Sequence, residues 1–147
     1  MRKLLSLAVF FFLLTSCHSS KAPDPTEKRK VLAMHDTLAS FDGLKYKKCL
    51  GRTTQCPEKC GHSGEFATFT ILKYHHFKSE SEYGKKQENF RFQISDFNKR
   101  TLAHAPTLPS GLKKGDEVKL TWKHEYVIRN HSLFPEYTVT GIIKVHK

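Results

Sequence analysis

Apolar and polar side chains alternate along the second half of the chain, and that period of two predicts β-strands. The clearest is 117–128 (EVKLTWKHEYVI), which puts Val118, Leu120, Trp122, His124, Tyr126 and Ile128 on one face. Residues 136–146 repeat the pattern with Tyr137, Val139, Gly141, Ile143 and Val145 facing inward. In 89–97, Phe90, Phe92 and Ile94 point one way while Arg91, Gln93 and Ser95 point the other. Residues 65–77 (EFATFTILKYHHF) are aromatic and β-branched with apolar side chains at both parities, as in a long strand buried on parts of both faces. Residues 27–41 fit two patterns. Val31, Met34, Leu38 and Phe41 fall on one helical face, yet a first strand over 29–38 suits the β character of the remainder better.

Between these segments lie the connections. Asp42-Gly43 reads as a turn, 78–87 as a hairpin loop containing Tyr83-Gly84, and 98–110, with Pro106 and Pro109, as a crossing connection with a turn of helix at 99–104. Residues 111–116 feed the clearest strand, and 129–135 turn the chain back. Five strands of this kind predict an all-β domain. The order of strand, loop, long hairpin, connection and hairpin resembles the OB-fold, which implies a small five-stranded barrel, with another small β-barrel or a sandwich as the alternative. An immunoglobulin-type sandwich would want about seven strands.

Before residue 27 the pattern changes character. Arg2 and Lys3 precede a mostly apolar run over 4–14. That run is too short for a membrane-spanning helix of roughly 20 residues, so 1–16 read as a signal peptide. It ends in Leu14-Thr15-Ser16-Cys17, which resembles the lipobox of bacterial lipoprotein precursors. The resemblance implies cleavage before Cys17, a diacylglycerol thioether on that residue, and further acylation (palmitate among the chains). The mature protein would then be lipid-anchored on the outer side of a membrane. His18, where an Asp would stand against it, is compatible with the outer membrane of a Gram-negative cell. Residues 17–26 become a lipidated cysteine and a polar, proline-bearing tether, and 27–147 a single domain.

Charge narrows the partners. The chain carries 25 Lys and Arg against 14 Asp and Glu, and the formal charge after processing is +9. Outside the cytoplasm such a surface meets lipid headgroups, anionic cell-envelope polymers or proteins, and nucleic acid is not expected. Several lysines occur in pairs (Lys47-Lys48, Lys85-Lys86, Lys113-Lys114) rather than in one block, the pattern of side chains that merely solvate a surface.

The one segment with distinctive chemistry is the loop 49–64, CLGRTTQCPEKCGHSG. With Cys17 lipidated, Cys49, Cys56 and Cys60 form an odd set in a compartment that favours disulfides. Two uses are open. One disulfide with a thiol left over would staple the loop in any of three pairings; such a bond contributes about 2–4 kcal/mol. Alternatively Cys49, Cys56, Cys60 and His62 supply three thiolates and an imidazole to zinc or copper. Cys56-Pro57-Glu58-Lys59-Cys60 also resembles the copper segment of thioredoxin-like copper chaperones, although strands rather than alternating strands and helices come after it here. C-x₃-C departs from the C-x-x-C that tunes a reactive thiolate, and Ser63 after His62 has no acid partner or nucleophile turn. No catalytic constellation emerges, and the expectation is a binding or structural protein rather than an enzyme. His75 and His76 should point to opposite faces, and His124 reads as a hydrogen-bonded interior or rim residue. Phe90, Phe92, Trp122 and Tyr126 fit core burial better than a stacking platform.

Overall fold

A computed structural model describes residues 27–48, 63–129 and 131–145. All regular structure among them is β: β1 (Lys28–Lys47), β2 (Gly64–Ser79), β3 (Asn89–Gln93), β4 (Glu117–Arg129) and β5 (Ser132–Lys144). The strands pair antiparallel in the order β3-β2-β1-β4-β5. The sheet curls until its two edges face each other, and Phe90 of β3 meets Tyr137 of β5 edge-on at 5.9 Å. The result is a nearly closed five-stranded barrel in which side chains, rather than a hydrogen-bonded ladder, bridge the last gap.

The expected fold class is therefore the observed one, but several boundaries move. β1 is one strand of 20 residues, neither a helix nor a strand ending near residue 38. Asp42-Gly43 is not a turn between elements. Phe41 pairs with Phe69 and Gly43 with Thr68, so Asp42 is an extra residue, a β-bulge. Gly43 takes φ +106°, which only glycine tolerates comfortably. Thr70 Oγ1 donates to Asp42 Oδ2 and Thr68 Oγ1 to the Gly43 carbonyl, each at 2.9 Å, and these bonds hold the bulge in place. No helix forms at 99–104. The chain turns at Asp96 to Lys99, with Lys99 at φ +62°, and Ser95 bridges to Thr101.

The mixed parity of β2 has a different cause from the one expected. Its pairing with β1 skips His75 and Leu72, and each bulge reverses the facing of the residues beyond it. Phe69, Ile71, Tyr74 and Phe77 consequently all face the interior, opposite Phe41, Ala39, Thr37 and His35. A third reversal corrects the reading of β5. Thr121 pairs with Gly141 and Trp122 with Val139, leaving Thr140 as the bulge. Val139 and Ile142 pack on the core, whereas Tyr137, Ile143 and Val145 are exposed. On β4 the regular alternation holds from Val118 to His124. Glu125 and Val127 are buried beyond it, where the pattern predicts Tyr126 and Ile128 inside. The core is centred on Ala39, Phe41, Phe69, Val118, Leu120 and Trp122.

Candidate functional site

Two groups of side chains stand out, one inside the barrel and one outside. The inner group begins with register. His35 on β1 pairs with Trp122 on β4 and Phe77 on β2, and His124 lies one row further on, opposite Ala33. The His35 ring lies parallel to Trp122 at 4.4 Å, and Phe90 covers the other indole face at 4.3 Å. Tyr74 approaches from the side, with its hydroxyl 3.4 Å from His35 Nδ1. His124 stacks on Tyr137 at 4.6 Å, so it is a rim residue held by ring contact. Phe90 and Trp122 are buried, Phe92 packs on the core and Tyr126 meets Tyr83 at 6.4 Å; these aromatics fill space rather than form an open platform.

Burial controls the protonation of the two imidazoles. Desolvation, and then the neighbouring His124, lower the His35 pKa to about 4, and burial lowers that of His124 as well. Both rings are neutral at pH 7. His35 Nε2 and Trp122 Nε1 have no hydrogen-bond partner among the described residues. They belong to a packed aromatic stack, which leaves no room for a substrate between the rings.

The outer group is set by the opposite parity. The side chains alternating with the buried positions of β1 and β4 face outward, and the register aligns them across the sheet. One row runs Lys78, Met34, Lys123 and Thr138, the next His76, Asp36, Thr121 and Gly141, and the third Lys73, Leu38, Lys119 and Ile143. Lys73 and Lys78, five residues apart, would point to opposite faces of a regular strand; the His75 bulge brings them to one face. Met34, Leu72 and Ile143 are exposed among these lysines. The carboxylates around the face are already committed. Asp36 pairs with Lys119 at 3.2 Å and Glu80 with Lys78 at 2.5 Å. Glu125 and Glu136 bind Arg29, and Glu27 binds Arg29 and Arg129. The Arg129 hydrogen bond is the main reason that Glu27 titrates below the usual carboxylate range. Lys73 and Lys123 have no ion-pair partner among the described residues. The lysine doublets are visible in the sequence and this group is not, although Lys119 and Lys123, out of phase with the buried positions of β4, were the available signal.

Cys17, Cys49, Cys56, Cys60 and His62 lie outside the described residues. No group of three or more His, Cys, Asp or Glu among the described residues is placed to hold a metal ion. The end of the cysteine loop is nevertheless fixed on the barrel. Gln93 Nε2 donates to the Ser63 carbonyl at 2.9 Å, and Ser63 and Gly64 are buried. Gly64 has φ +149°, and a Cβ there would stand 1.9 Å from the Ser95 carbonyl oxygen. Gly64→Ala should therefore destabilise the domain by about 2–3 kcal/mol in urea denaturation, combining overpacking with backbone strain. Gly115→Ala, at φ +90° but with open space around it, should cost only about 1 kcal/mol. Equal losses would mean that crowding against the Ser95 carbonyl adds no cost of its own. A shallow hollow of about 490 Å³ lies elsewhere, between 107–110 and the end of β5.

No protein family, no curated protein and no solved structure matches this chain.

Proposed function

We propose that this protein is a lipoprotein of the bacterial cell envelope, anchored through Cys17 and carrying its barrel outside the cytoplasm as a non-catalytic binding module. The observation that carries this reading is the order of features in residues 1–17: two cations, a short apolar run, and Leu14-Thr15-Ser16-Cys17. The excess of cations over anions, with Lys73 and Lys78 of β2 and Lys119 and Lys123 of β4 displayed on one outer face, supports an anionic partner. In this reading the cysteine loop is a clamp at the β1–β2 connection. Zinc or copper held by Cys49, Cys56, Cys60 and His62 is its alternative use.

Cells expressing the full chain with a labelled fatty acid should incorporate the label and hold the protein in the membrane fraction, whereas Cys17→Ser should abolish both. Absence of label from the wild-type chain, with C17S still in the membrane fraction, would overturn the anchor. The same purified protein tests the clamp. One titratable thiol under denaturing conditions and no metal fit the stapled loop, and about one zinc or copper per chain fits the metal site.

A further inference from the structure

We infer that the outer face of β2, β1 and β4 is a docking surface for an anionic lipid bilayer, the barrel lying against the membrane to which its own tether is fixed. The inference deepens the anchored reading and rests on it.

Charge and apolarity occur on this face in the combination that headgroups select. Lys73, Lys78, Lys119 and Lys123 occupy two rows, with the Asp36 row between them. Two of these lysines neutralise the nearest carboxylates, and the other two have no acidic partner among the described residues. The face therefore carries a net positive charge, with the unpaired Lys73 and Lys123 at opposite corners around the Asp36–Lys119 pair. Met34 stands between Lys78 and Lys123, Leu72 adjoins Lys73 at a bulge, and Ile143 borders Lys119 from β5; they are 43%, 51% and 64% exposed. A soluble anionic polymer would gain little from these three. At a bilayer they would reach the boundary between headgroups and acyl chains while the ammonium groups stay among the phosphates.

Tether length makes the contact feasible. Only residues 18–26 separate the acylated Cys17 from the domain, a reach of about 30 Å when extended. β1 begins at Lys28, on the side of the sheet where Lys78, Met34 and Lys123 form the first of these rows. Screening limits electrostatic attraction to about 8 Å at physiological salt, and the short tether keeps the face near enough for it to act. Each lysine near an anionic surface strengthens binding about fivefold.

The test uses the mature chain 17–147 carrying C17S, so that no acyl chain contributes, in co-sedimentation with vesicles. The chain should bind vesicles containing phosphatidylglycerol and not vesicles of phosphatidylcholine alone, and added salt should weaken the binding. Lys73→Gln with Lys123→Gln should reduce affinity about 25-fold. Lys99→Gln with Arg100→Gln, which removes the same charge from the connection after β3, should change it less than about twofold. Ile143→Ser should weaken the part of the binding that survives high salt. Equal binding to the two vesicle types, or equal loss from the two double variants, would overturn the inference. So would binding to a soluble polyanion as tight as to vesicles, which would point to an envelope polymer. Failure here with fatty-acid labelling intact would remove the docking face alone. Absence of labelling would remove the anchor.

Discussion

Trp122→Ala is expected to lower the unfolding free energy by about 3–5 kcal/mol, the usual cost of deleting a buried large aromatic. The indole is 1% exposed and lies between His35 and Phe90 in a continuous stack of three rings. Each ring comes from a different strand, β1, β4 and β3, and β3 shares no ladder with β4 or β5. The stack therefore closes the barrel where hydrogen bonds do not, and its loss should be felt across the seam as well as locally. Stacking adds about 0.5–1.5 kcal/mol for each aromatic pair beyond the area buried. In a domain of ordinary marginal stability this is a large fraction of the total. Urea denaturation followed by far-ultraviolet circular dichroism measures it. Hydrogen exchange should show the amides of 89–93 losing protection more than those at the centre of β1. A loss below about 1.5 kcal/mol, or uniform deprotection, would mean that the seam is held by something else.

Acidification from pH 6.5 to pH 4 should cost about 3 kcal/mol through His35 alone. The folded-state pKa is about 4, against 6.5 for an exposed imidazole. Because the native state disfavours the proton, the contribution is complete above pH 6.5. It is lost as the unfolded chain takes up the proton, and the loss levels off below pH 4. The groups around the ring explain why no partner rescues the imidazolium. Trp122 and His124 face it from β4 and Tyr74 and Phe77 from β2, and no carboxylate among the described residues pairs with it. Glu27, Glu80 and Asp116 have lowered pKa values and lose their contributions only in more acid solution. The two effects therefore separate in pH. Denaturation midpoints at intervals between pH 7 and pH 4.5 give the slope. His35→Gln should be less stable at pH 7 and show a flatter dependence. An unchanged slope would remove His35 as its origin.

Legible and hidden parts of the fold divide on one physical fact, that alternation reports a face only while pairing stays in register. No residue of β4 is skipped from Val118 to His124, and its inward set was legible. β2 contains two skipped residues, so Phe69, Ile71, Tyr74 and Phe77 share a face at spacings of two and three. A reader of period two sees there a strand buried on both sides. Thr140 did the same to β5 and exchanged Ile143 for Ile142 in the core. Asp42-Gly43 carries the composition of a turn because a bulge and a turn ask the same thing of glycine. The outward lysine rows were harder to see because they arise from pairing between strands far apart in the chain. The cysteine loop was the most conspicuous feature of the sequence, yet of its residues the barrel's geometry speaks only for Ser63 and Gly64.

The bulge at Thr140 also bears on how crowded copies of this chain behave. β5 is an outermost strand of 13 residues, and an uninterrupted border of that length is a template for fibrous self-association. Pro135 removes an amide near its beginning, Thr140 breaks the repeat further along, and Lys144 charges its end. The longest stretches free of proline and bulge are Glu136 to Val139 and Gly141 to Lys144, each shorter than the six or seven residues on which amyloid stacking depends. Where copies of the chain gather at high density, that interruption lets neighbours sit side by side without zipping together.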